Sequence, residues 1–122
     1  MPTRWRAIDS AAPLDHDFDM ADALDDRAIE TALRDLPGWK REGDALVKTF
    51  KCRNFAGAVA FIVRVGFACE KEDHHPDLSN TYNRVTLRFT THAAGGKITD
   101  RDVTLARTVE ALAAERYTRI PK

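Results

Sequence analysis

After Asn54 the apolar residues fall into helical spacing. Ala58, Phe61, Ile62, Val65, Ala68 and Cys69 share one stripe, while Arg64 and Lys71 lie off it. Asn54 is a good N-cap, because its side-chain oxygen can accept from the orphan amides of the first turn. Pro76 restricts His75 to extended backbone, so the helix must end near Glu72, before His74-His75-Pro76. A helix with so apolar a stripe has to cover another layer, and the segments around it supply strands.

Residues 39–42 and 45–52 form the arms of a hairpin around Gly43-Asp44. In the second arm Leu46, Phe50 and Cys52 share a face by period-two alternation, and Lys48 interrupts them. A second hairpin has residues 79–82 as its short arm and 84–92 as its long arm, with Asn83 near the turn. There Val85, Leu87 and Phe89 point one way, and Thr86, Arg88, Thr90 and His92 point the other way.

Two more helices complete the pattern. The first spans 26–36, with Asp25 as N-cap, Leu24 and Ile29 as a hydrophobic staple, and Pro37-Gly38 as its stop. Its apolar face is Ala28, Ile29, Ala32, Leu33 and Leu36. The last follows Gly95-Gly96, is capped by Thr99 with Asp102 at N3, and buries Val103, Ala106, Val109 and Ala113. The expected fold is therefore a two-layer α+β domain: one helix, then β-β-α-β-β-α, with a four-stranded antiparallel sheet and the helices on one face.

The chain has 122 residues, enough for one such domain and little more. We expect that domain at 20–122. Residues 1–19 lack periodicity and carry Pro2, Pro13 and spaced aspartates, which suits a flexible extension, and Met20 is a candidate alternative start. No apolar run near the N-terminus is long enough for a signal peptide or a membrane span, and Asp9, Asp15, Asp17 and Asp19 oppose a transit peptide. With 19 basic and 19 acidic residues the net charge is zero, so no nucleic-acid or membrane partner is expected. Cys52 and Cys69 lack CxxC spacing and fall in apolar stretches. They are expected to be buried thiols, which suits a reducing, cytoplasmic setting.

Chemistry concentrates in the histidines. Three of the four, His74, His75 and His92, fall close together in the chain. Histidine exchanges protons near neutral pH, and His92, on the strand face opposite the core residues, is not expected in the core. Glu70 can orient a histidine or simply be solvated, and Asp102 can serve as a helix cap alone. A metal centre is not expected, because adjacent side chains such as His74 and His75 diverge on regular structure. The buried cysteines are poor nucleophiles.

The segment from Glu70 to Leu78, Glu-Lys-Glu-Asp-His-His-Pro-Asp-Leu, resembles the signature of the pterin-4a-carbinolamine dehydratases. Tyr82, His92 and Asp102 continue it at matching spacings, as do Leu-Pro-Gly-Trp ending at Trp39 and the Thr-His followed by Gly95-Gly96. The similarity covers roughly residues 24–116. Cys52 departs from it, standing where many relatives carry phenylalanine.

The resemblance implies a hydro-lyase, a 4a-hydroxytetrahydrobiopterin dehydratase. It would convert 4a-hydroxytetrahydrobiopterin to quinonoid dihydrobiopterin and water, downstream of an aromatic amino-acid hydroxylase in tetrahydrobiopterin recycling. It further implies a homodimer or homotetramer, and neither cofactor nor metal. His74 and His92 would be the acid–base pair and His75 would hold the pterin. Glu70, Asp73, Pro76, Tyr82 and Asp102 would support, with Asp100 as the rival to Asp102. The alternative on the same fold is a non-catalytic protein-binding, assembly or dimerisation cofactor.

Overall fold

A computed structural model describes residues 23–114. The expected 1–19 extension and Met20 lie outside the described residues. The elements are α1 (Asp26–Arg34), β1 (Lys40–Glu42), β2 (Ala45–Lys51), α2 (Phe55–Glu72), β3 (Asp77–Thr81), β4 (Arg84–Phe89), a 3-10 turn (His92–Ala94) and α3 (Asp100–Ala113). All strand pairs are antiparallel, in the order β1-β2-β4-β3. This is the expected α+β order.

Register explains which face is buried. Leu46 lies opposite Phe89, and Phe50 opposite Val85. These residues and Leu87 point at Phe61, Val65 and Cys69 of α2 and at Val103, Ala106 and Val109 of α3, forming one core. On the other face Thr49, Lys51, Arg84 and Arg88 are exposed. The sheet thus has one dry side and one wet side, as antiparallel sheets allow.

Lys48, the interruption in β2, sits on the dry face opposite Leu87. Its ammonium lies over the Phe50 ring, with Nζ 4.7 Å from the centroid. The ammonium donates to the Pro37 carbonyl at 2.9 Å and pairs with the Glu110 carboxylate, which also accepts from Trp39 Nε1 at 2.8 Å. An apolar stem and a paired head let a lysine close the rim of a core. Gly38 is required there: its φ is +86°, and a Cβ would come 2.9 Å from Lys48 Cε.

Several boundaries differ from expectation. α1 ends at Arg34, and Leu36 reaches the core from the turn that follows. Trp39 is a buried core residue just before β1. β3 begins two residues earlier than the expected residue 79, and Tyr82 leaves it for a left-handed turn at φ 51°. β4 stops at Phe89, so His92 is not on a strand. Gly95 and Gly96, at φ 78° and 77°, reverse the chain and return Lys97 to bridge Thr91, which converts the strand end into a 3-10 turn.

Cys52 and Cys69 are free and buried. Desolvation raises the Cys52 thiol and pushes Cys69 up to about 11. A thiol-specific disulfide reagent at mildly alkaline pH should leave both untouched in the folded protein and label both after denaturation. Rapid labelling of the folded protein would contradict this packing. Among the described residues no helix is long and apolar enough to cross a membrane.

Candidate active site

The histidine loop begins with a helix stop. Asp73 takes the left-handed conformation (φ 53°, ψ 44°), one that aspartate tolerates better than most residues. Its N–H donates to the Glu70 carbonyl and that of His74 donates to the Cys69 carbonyl, each at 3.1 Å, which is a Schellman closure. Arg101, from the first turn of α3, donates to the carbonyls of Glu72 and Asp73 at 3.1 and 3.0 Å. A cation therefore sits on the negative end of the α2 dipole and ties the loop to α3. The reversal turns His74 inward, to 7% exposure, and leaves His75 exposed.

His74 meets a carboxylate with no exposure at all. Its Nε2 lies 2.6 Å from Asp102 Oδ1. The other oxygen, Oδ2, accepts from the Thr99 N–H at 2.9 Å and from the Thr91 hydroxyl at 2.8 Å. Asp102 thus does two jobs. It closes the capping box of α3 with Thr99, and it holds the histidine that α2 delivers. The His74 ring also stacks on Phe89, centroids 6.1 Å apart and planes 21° apart.

His75 Nε2 pairs with Glu70 Oε1 at 2.8 Å, one turn back on α2. Both are more than half exposed, so this contact orients the ring and contributes at most about 1 kcal/mol to stability. His92, at the start of the 3-10 turn, is exposed. His74, His75 and His92 line one cavity of about 310 Å³ together with Asp73, Pro76 and Arg101. That volume is at the low end for small-molecule sites. Among the described residues no group of three or more His, Cys, Asp or Glu side chains is arranged to hold a metal ion.

Of the expected residues, Asp73, His74, His75, Pro76 and His92 line this cavity, and Glu70 and Asp102 touch its histidines. The chain does not bring Tyr82 there. Tyr82 is 65% exposed in the β3–β4 turn, whereas the histidines gather where β3 begins and β4 ends. Five residues of extended strand separate these ends, about 17 Å at strand rise. Asp100, the rival to Asp102, is exposed and lines a different hollow beside His74.

Three contributors went unnoticed in the sequence. Thr91 shares the parity of Val85, Leu87 and Phe89, and a hydroxyl at a core position signals a need for a buried partner. Phe89 was legible as core but not as the wall behind His74. Arg101 left no local signal, because its carbonyl partners come from another helix.

The chain is similar to known proteins over most of its described length. The family profile described as pterin 4 alpha carbinolamine dehydratase matches residues 22–112. A "Putative pterin-4-alpha-carbinolamine dehydratase" of Thermomicrobium roseum is 52% identical over 91 residues, covering 75% of this chain and 97% of that protein. A protein of the same description from Thermosynechococcus vestitus is 47% identical over 94 residues, covering 77% and 98%. A crystal structure of a transcriptional coactivator/pterin dehydratase from Brucella melitensis superposes with a TM-score of 0.73 at 35% identity, covering 76% of this chain and 100% of that one. With a family profile matching residues 22–112 and relatives 52% and 47% identical across nearly their whole length, the chain belongs to the pterin 4 alpha carbinolamine dehydratase family.

Proposed function

We propose that this protein dehydrates a 4a-hydroxytetrahydropterin to the quinonoid dihydropterin by histidine acid–base catalysis, with tetrahydrobiopterin recycling as its setting. The observation that carries this reading is the convergence of three histidines on one cavity, one of them buried against a carboxylate. In the reaction the C–O bond at the ring carbon breaks and its electron pair leaves with the hydroxyl. An acid protonates that oxygen to water. A base removes the proton of the adjacent ring nitrogen, whose N–H electrons become the C=N bond. One proton is given and one is taken, so two imidazoles complete the balance without a redox partner.

His74 and His92 fill the acid and base roles in this reading. In the same reading His75, steadied by Glu70, and Arg101, which lines the same cavity, hold the polar edge of the pterin. An aromatic amino-acid hydroxylase would supply the substrate. A second reading, protein binding on the same fold, is favoured by one observation. Phe55, Val59, Val63 and Phe67 form an exposed apolar stripe along α2, with Phe67 73% exposed. The same stripe is suited to the homodimer or homotetramer that this family membership suggests.

The test follows the decay of 4a-hydroxytetrahydropterin, generated in situ, with and without the purified protein. His74→Ala and His92→Ala should each slow the catalysed step by about 10²–10⁴-fold, the usual contribution of a positioned acid or base. His75→Ala should raise KM more than it lowers kcat. Equal rates for wild type, His74→Ala and His92→Ala would remove the catalytic reading and leave the binding one.

A further inference from the structure

The hydrogen bonds behind His74 run in one direction. The Arg101 N–H donates to Thr99 Oγ1 at 3.1 Å. The Thr99 and Thr91 hydroxyls are 2.8 Å apart, and the Thr91 hydroxyl donates to Asp102 Oδ2 at 2.8 Å. A hydroxyl has a single proton. Since that of Thr91 is committed to Asp102, Thr99 must donate to Thr91. Asp102 Oδ2 receives a second proton from the Thr99 backbone. Thr91, Thr99 and Asp102 are all buried, so no solvent competes for these bonds.

Both donors to Oδ2 mark Asp102 as an acceptor, which leaves Oδ1 to receive from His74 Nε2. Placing the shared proton on the carboxyl while Nδ1 stays bare would leave an imidazolate, a far stronger base than a carboxylate. His74 Nδ1 has no protein partner among the described residues and is not among the sealed, unsatisfied buried atoms. One nitrogen of the ring is thus spoken for by the protein, and the other is left for a ligand.

We propose that Thr91 and Thr99 are positioning residues whose directional hydrogen bonds hold His74 in the Nε2–H tautomer through Asp102, so that Nδ1 is the atom that exchanges a proton with substrate. The catalytic half of this assignment rests on the dehydratase reading; the tautomer does not. In the resting enzyme a bare Nδ1 is a base. It takes the ring-nitrogen proton, and the resulting imidazolium is stabilised by the Asp102 carboxylate on its far side. The opposite role, protonation of the departing hydroxyl, then falls to His92.

The experiment is long-range ¹H–¹⁵N correlation of the histidine rings in the ligand-free, full-length protein, combined with kinetics of two variants. Wild type and Thr91→Ser, which keeps the hydroxyl, should show His74 protonated at Nε2 and bare at Nδ1. Thr91→Val should show both tautomers and a kcat lowered about tenfold, the effect of losing a hydrogen bond to a charged group, with KM changed less than about twofold. Thr91→Ser should recover most of the rate. A wild-type ring protonated at Nδ1 overturns the proposal whether or not Thr91→Val folds, as does a Thr91→Val enzyme with unaltered tautomer or unaltered kcat. An Nε2–H ring in a protein that does not accelerate dehydration would leave the tautomer assigned and defeat the dehydratase reading instead.

Discussion

Asp102→Ala will lower folding stability by about 3–5 kcal/mol and, on the proposed dehydratase function, the dehydration rate by about 10²–10⁴-fold. The stability loss has two sources. Alanine leaves three buried donors without an acceptor: the Thr99 N–H, the Thr91 hydroxyl and His74 Nε2. Each such orphan costs about 1–3 kcal/mol where water cannot reach it. It also removes half of the capping box, so the first turn of α3 loosens where Arg101 ties down the histidine loop. Against a typical total of about 5–15 kcal/mol this is a large fraction, and urea denaturation will register it as a lower midpoint. Asp102→Asn separates the two roles. Its amide oxygen can still accept from the helix N-terminus, so stability should fall by less. An amide presents only one acceptor atom and offers protons to its other neighbour, so the His74 bond is compromised and the rate should drop nearly as far as with alanine. Recovery of activity in Asp102→Asn would show that Asp102 serves only as a helix cap.

Much of this arrangement was legible in the chain because it is written in local rules. Asp25, Asn54 and Thr99 cap helices where their short polar side chains precede helical periodicity. Gly43-Asp44 closes one hairpin, and Pro76 ends α2 by sterics. Strand parity chose the buried face of β4 correctly from Val85 to Phe89. Parity also kept His92 out of the core, where it is exposed, but the strand does not reach it, because the bridge between Thr91 and Lys97 depends on two glycines turning the chain back, a tertiary event that alternation does not encode. Lys48 looked like an error in the β2 pattern until Glu110, 62 residues away, supplied its counter-charge. The site divides in the same way. The histidine cluster and Asp102 follow from a resemblance in spacing, and Asp102 as a cap follows from local chemistry. Which carboxylate meets which histidine does not, since Glu70 and Asp102 each stood available to either ring. The misplacement of Tyr82 has the same origin. Six residues beyond Pro76 is close in sequence, but on an extended strand it is the opposite end of the sheet.

Phe89 joins the core to the site, and Phe89→Ala should show both losses at once. The ring is fully buried as the last residue of β4. It lies 6.0 Å from Trp39 on one side and 6.1 Å from His74 on the other. Truncation leaves a void beside Trp39, His74 and Leu46, at a cost of about 3–5 kcal/mol. It also removes the flat wall that fixes the plane of the His74 imidazole. The bond to Asp102 constrains one edge of that ring but not its rotation about the Nε2···Oδ1 line, so the wall is what sets where Nδ1 points. Phe89→Leu distinguishes packing from orientation. It restores most of the volume but no planar surface, so it should regain the larger part of the stability while the dehydration rate stays severalfold below wild type. Thermal denaturation and the pterin decay assay on the same preparations measure the two quantities. A leucine variant that recovers rate and stability in equal proportion would reduce Phe89 to a core residue and leave His74 oriented by Asp102 alone.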